Sequence, residues 1–287
     1  MKTLWNKETE TEFFTESLKE IDPTSLFYTS DDGKMYAYWP KTYTGKKSTL
    51  QSRNTHVGNF TEMWTKLLLE GYAQSKGYFA VQGAICKEIG LPRESAADVA
   101  ICKSPSKEQN PKDIVAIFEV KMSIVWNWEL KNGEIIELGD YSTHKGEPGL
   151  LRSDSMLKAI GKGINVRISS PDSKDIPIII LGNTPITQSY ESKVDNLKTS
   201  GVVQGFWSLN PNPRNNQSTL KNTPKYGFIR MDNYQELVKN LDNLLSEDLN
   251  YFSSMKSHSE LGRIIDISSR ENIIEDKALK FLELIGD

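Results

Sequence analysis

The chain has 287 residues, 37% of them apolar, with 35 basic against 38 acidic side chains and a formal net charge of −3. This length and apolar content suit a folded core with additions and exclude a disordered chain, and the acidic balance leaves any polyanion binding to local patches. Two cysteines, three scattered histidines, no apolar run of about 18 residues and no hydrophobic leader argue against a zinc or iron–sulfur centre, a histidine nucleophile and a membrane span, and lead us to expect a cytoplasmic protein.

Residues 1–32 are acidic, and Phe13, Phe14, Leu18 and Ile21 share one face of a predicted helix that Pro23 closes. From Gly33 to Thr61 there is no acid. Lys34, Lys41, Lys46, Lys47 and Arg53 are interleaved there with Tyr36, Tyr38, Trp39 and Tyr43, predicting a strand pair near 36–39 and then a basic loop. Asn59 reads as a helix cap with Glu62 as its reciprocal partner, and the helix turns Phe60, Met63, Trp64, Leu67, Leu68 and Ala73 inward before ending near Gly77. A short strand at 78–82 and a turn at 84–89 precede two apolar strands that carry Asp98 and Glu119, the second, at 114–124, being central. Asn132-Gly133 predicts a tight turn between strands at 125–131 and 134–138. After a glycine-rich loop at 139–149, Ser153 caps a helix with Met156, Leu157 and Ile160 inward and Lys158 and Lys162 one turn apart. A strand at 175–182, a helix at 189–199 and a strand at 202–209 complete an α/β pattern whose hairpins predict a mixed sheet. The stretch from Lys198 to Arg230 is again free of acids, with Lys198, Arg214, Lys221, Lys225 and Arg230 around a polar loop at 210–219. A leucine stripe from Leu237 through Leu249 and Phe252, then an amphipathic segment at 271–285, form a helical tail.

The chemistry concentrates at Ala-Asp98-Val-Ala-Ile and Ile-Phe-Glu119-Val-Lys121. A carboxylate inside an apolar strand is costly unless paired. Strand alternation puts Glu119 and Lys121 on one face with Val120 opposite, a metal ligand beside a proton handler, and Asp98 on a neighbouring hairpin strand could complete the site. Such hard oxygen ligands suit Mg²⁺. The competing reading is a surface Glu–Lys pair and an unrelated aspartate.

These residues resemble the active-site signature of the PD-(D/E)xK nuclease superfamily, which includes most type II restriction endonucleases, with Ala97 where the family has proline. The resemblance covers roughly Phe60 to Leu209. It implies an α/β fold with a central mixed β-sheet flanked by helices: a restriction-endonuclease-like core at 60–230, preceded by an N-terminal helix and basic, aromatic segment at 1–59 and followed by a helical region at 231–287. It also implies a Mg²⁺-dependent, sequence-specific endonuclease that hydrolyses double-stranded DNA to 5′-phosphate and 3′-hydroxyl ends. Asp98, Glu119 and the Val120 carbonyl would ligate metal, and Lys121 would act on the attacking water. Glu62 is the candidate additional acid, although it reads equally well as an acid at a helix N-terminus, and Glu70 is a weaker choice. Lys46, Lys47, Arg53, Arg152, Lys158, Lys162 and Arg214 are candidate DNA contacts, each also readable as part of a solvated loop or helix face. Cutting a symmetric site leads us to expect a homodimer, with the leucine stripe as one candidate contact, and the system leaves room for a cognate methyltransferase. The alternatives are a structure-specific repair, resolvase or phage-defence nuclease, or a non-catalytic DNA-binding module on a nuclease fold.

Overall fold

A computed structural model describes residues 3–47, 50, 52–246 and 257–286 of the chain. Asn6 opens α1 (Lys7–Ser17) by accepting from the Thr9 N–H at 2.9 Å, and Phe13 and Phe14 are buried. Pro23 does not close this helix. It stands in the first turn of a short α2 (Pro23–Leu26) capped by Asp22, where its missing N–H has no intrahelical partner to lose. A hairpin of β1 (Tyr28–Thr29) and β2 (Met35–Tyr36) follows.

The next helix, α3 (Ser52–Ser75), begins well before Asn59, which lies exposed within it and caps nothing. Burial of Arg53 and Val57 anchors the first turns, so tertiary contacts override the break suggested by Gly58-Asn59. The inward face differs accordingly. Thr61, Thr65, Leu68, Leu69, Tyr72 and Ala73 are buried, while Met63 and Leu67 are exposed.

Three strands then run as an antiparallel meander: β3 (Phe79–Ala84), β4 (Ala97–Cys102) and β5 (Ile114–Val120). The hairpin of β6 (Asn127–Lys131) and β7 (Glu134–Gly139) turns on Asn132 and Gly133, both at positive φ (53° and 82°), as a two-residue primed turn requires. It joins β1 and β2 in a separate four-stranded sheet, order β1-β2-β6-β7. Beyond it come α4 (Ser153–Ser169), β8 (Ile178–Gly182), α5 (Gln188–Thr199), β9 (Gly205–Ser208), β10 (Phe228–Arg230), α6 (Tyr234–Ser246), α7 (His258–Ser268) and α8 (Ile274–Gly286). The sequence reading missed β10 and α7. Ser153 does not cap α4 either, since Arg152 holds that position without a side-chain bond, and Leu157 is exposed.

The larger sheet has six strands in the order β10-β9-β8-β5-β4-β3, with β5, β8, β9 and β10 mutually parallel. Alternation along its strands sorts side chains to two cores. Phe118, Val120, Ile179 and Leu181 meet apolar residues of α1, α3 and α6, while Ile117, Ile178 and Ile180 meet those of α4 and α5. The protein is therefore α/β, with a mixed six-stranded sheet flanked by helices. In α6, Leu237, Leu241 and Leu244 are buried in the chain's own core, so they are not free for a dimer contact; Leu249 and Phe252 lie outside the described residues. Among the described residues no helix is long and apolar enough to cross a membrane.

Candidate active site

The β4–β5 pairing sets the site. Val99 is registered with Phe118, which brings Asp98 to the end of β5, where Asp98 Oδ2 accepts from the Val120 N–H at 2.7 Å. Beyond the last residue of β5, the Lys121 N–H donates to the Leu181 carbonyl of β8 at 2.7 Å. This bond continues the β5–β8 ladder and fixes the lysine's backbone. Glu119 continues the parity of Ile117 and lies on the α4 side of the sheet, only 5% exposed.

Two lysines serve the two acids. Lys121 Nζ donates to Glu119 Oε1 at 2.5 Å and to the Val120 carbonyl at 3.2 Å, and lies 3.6 Å from Asp98 Oδ2. Lys162, from α4, places its Nζ 2.5 Å from Glu119 Oε2 and 3.3 Å from Asp98 Oδ1, and donates to the Ala96 carbonyl at 2.7 Å. Its approach to Glu119 Oε2 is a charge contact outside hydrogen-bond geometry. Burial, and then the Asp98 charge, push the Glu119 carboxyl above the usual range, and Lys121 and Lys162 offset this only in part. Burial alone would lower the Lys162 ammonium, but Glu119 and Asp98 together hold it above its ordinary value. Glu62 is half-buried on α3 and accepts from Gln82 Nε2 at 3.2 Å. Burial and the nearby Asp98 charge raise its carboxyl too, so it belongs to the same electrostatic cluster. Glu70 is paired with Lys66 at 2.7 Å.

A loop and a strand end brace this corner. The Asn183 side chain accepts from the Ser123 N–H at 3.1 Å and donates back to its carbonyl at 2.6 Å, while Thr184 Oγ1 accepts from the Leu150 N–H at 2.9 Å. Gly149 sits between them at φ +54°, where a Cβ would come within 3.2 Å of the Lys121 carbonyl. Only glycine allows so close a passage without strain.

The remaining candidate DNA contacts are dispersed. Lys46 and Lys47 are exposed on the loop after β2, and Lys47 is near enough to Lys145 to help dehydration lower that ammonium. Arg53 is buried, donates to the carbonyls of Ala37 and Leu26, and lies over the rings of Tyr28 and Tyr38 at 5.1 and 4.8 Å, a packing role. Arg152 is exposed and bound to Asp154 at 2.7 Å. Arg53, Lys145 and Arg152 line one cleft of about 640 Å³ that also includes Ser123, two residues past Lys121. Lys158, its side chain 77% exposed, lies 3.9 Å from Asp154. Lys162 does not share that environment: its side chain is 17% exposed and turned into the acid pair. Arg214 is half-buried with its guanidinium 5.7 Å from the Tyr141 ring centre.

The place of Lys162 in the acid cluster is what the sequence reading missed. A signal was present, because Lys162 lies three residues after Ala159 and four before Val166, both buried, and a lysine in a buried stripe needs an anionic partner. Among the described residues no three of His, Cys, Asp and Glu gather as a metal-holding group. Two carboxylates with the adjacent Val120 carbonyl nevertheless form a hard-oxygen set that fits a divalent cation retaining much of its water, rather than a closed protein cage. The two ammonium groups already drawn to these oxygens show that the corner favours positive charge. No family model, curated protein or solved structure matches the chain.

Proposed function

We propose that the protein is a Mg²⁺-dependent DNA endonuclease of the PD-(D/E)xK type, most simply a type II restriction enzyme. The observation that carries this reading is the convergence of Asp98, Glu119 and Lys121 at the shared end of β4 and β5, within ion-pair contact. The element order supports it as well: α3, the β3–β4–β5 meander, α4 and then β8 parallel to β5 is compatible with a restriction-endonuclease-like core.

In this reading Asp98 and Glu119, with the Val120 carbonyl, hold the cation. When bound, Mg²⁺ polarises a phosphate oxygen and helps activate water. Lys121 is held by its ladder bond with its ammonium beside Glu119, placed to orient the attacking water, accept its proton or stabilise charge developing on the phosphate. Glu62 adds negative charge from α3. Exposed Lys145 and Arg152, on the cleft beside this corner, offer cations for the DNA backbone, and exposed Lys46 and Lys47 extend them. A homodimer supplies the two active sites that a symmetric duplex cut needs.

Digestion of a long, defined, unmethylated duplex with Mg²⁺ tests the proposal. Discrete fragments mark a sequence-specific enzyme, whereas preference for branched DNA marks a structure-specific nuclease. Metal-dependent binding without cutting of either substrate would replace the enzyme by a binding module.

A further inference from the structure

We propose that Lys162 is the resident counter-cation of the Asp98–Glu119 pair and competes with a divalent cation for it, so that loading the site displaces the lysine. The inference rests on reading those carboxylates as a cation site. One ammonium touches both acids, and it does so through Glu119 Oε2 and Asp98 Oδ1, the oxygens that Lys121 leaves open; Lys121 faces Glu119 Oε1 and Asp98 Oδ2. Its remaining contact is the Ala96 carbonyl. Three oxygens, two of them anionic, thus surround Lys162 Nζ, which is the kind of environment a hard cation requires.

A divalent cation cannot take Glu119 Oε2 and Asp98 Oδ1 while the Lys162 ammonium occupies them, and repulsion between the two cations in a half-buried corner exceeds its value in water several-fold; Lys121, on the other oxygen of each acid, can stay. The lysine is the group able to leave. Its charge sits on a flexible four-carbon stem, while α4 itself is fixed by close packing: a Cβ on Gly163 would lie 2.8 Å from the Val203 side chain. Without a cation in place, Lys162 adds to Lys121 in balancing the two clustered acids.

Calorimetric titration of the full-length, metal-stripped protein with MnCl₂, with thermal unfolding in its presence and absence, reads this competition without any activity assay. Lys162→Met should bind Mn²⁺ roughly tenfold more tightly than wild type, a coupling of ordinary size. It should also unfold at a lower temperature without metal and gain more from Mn²⁺ than wild type does. Lys162→Gln, which keeps an N–H for the Ala96 carbonyl but no charge, should shift in the same direction and serves if the Met variant fails to fold. Equal or weaker Mn²⁺ affinity in the folded variants, with wild type binding normally, overturns the competition and leaves the cation site standing. No Mn²⁺ binding by wild type or by either variant overturns both.

Discussion

At the scale of single residues, the Glu119-Val120-Lys121 spacing was legible because strand alternation alone fixes which side chains share a face, and the structure has Glu119 and Lys121 in contact at 2.5 Å. Asp98 needed only a hairpin partner in the right register. Lys162 was not legible as a member of the cluster, since its place depends on how α4 lies across the sheet, and helical spacing from Lys158 suggested a pair of phosphate contacts or a solvated helix face. His144 was set aside as a scattered histidine, and its packing is what gives it interest. Its ring stacks on Tyr38 at 4.0 Å, its Nε2 is 3.3 Å from the Val125 carbonyl, and burial lowers its imidazole from 6.5 to about 4 despite backbone hydrogen bonds that oppose the shift. A depressed folded-state value means that the neutral ring's stability is fully present above pH 6.5 and is lost as pH falls through about 4. Urea unfolding of wild type and His144→Phe across that window should show wild type losing up to about 3 kcal/mol relative to the variant. Parallel pH profiles would remove His144 as the cause.

At the scale of elements, boundaries were the least legible feature, for reasons visible in the contacts. The sequence between Ser52 and Asn59 is mediocre for a helix, and α3 extends through it because Arg53 and Val57 are buried. The place of α1 was equally hidden, because it hangs on an acid that no pattern singles out. Glu10 is fully buried on that helix, where its Oε1 accepts from Trp5 Nε1 at 3.0 Å and the Val125 N–H at 2.6 Å, and its Oε2 from the Trp126 N–H at 3.1 Å and Trp128 Nε1 at 2.8 Å. Four donors meet one carboxylate, yet burial outweighs them and raises it to about 7. It ties α1 to the segment that leads from the active-site strand into β6. Glu10→Ala leaves buried N–H groups without an acceptor and should cost about 2–5 kcal/mol in chemical denaturation. A loss below about 1 kcal/mol, the net value of one ordinary hydrogen bond, would show that packing of Phe13 and Phe14 holds the helix unaided.

At the scale of the whole molecule, the α/β class and the mixed sheet followed from alternating patterns and hairpin signals, whereas the division into two sheets did not. Nothing local distinguishes β6 and β7, which pair with β1 and β2, from strands of the main sheet; that partition is decided by long-range pairing. The leucine stripe of α6 has the same origin as any buried helix face, and Tyr72 on α3 reinforces it by donating to Asp242 Oδ1 at 2.9 Å. These elements place the paired acids and their lysines at the end of β5, the arrangement on which the nuclease proposal stands. The most direct measurement is single-turnover cleavage of a defined duplex by wild type, Glu119→Ala and Lys121→Ala, each with Mg²⁺ and with EDTA, and with folding checked by circular dichroism. Cleavage by wild type in Mg²⁺ alone, with both variants folded and slower by at least about a hundredfold, is the expected result. Cleavage that survives EDTA, or a folded Glu119→Ala protein that cuts at the wild-type rate, would contradict it.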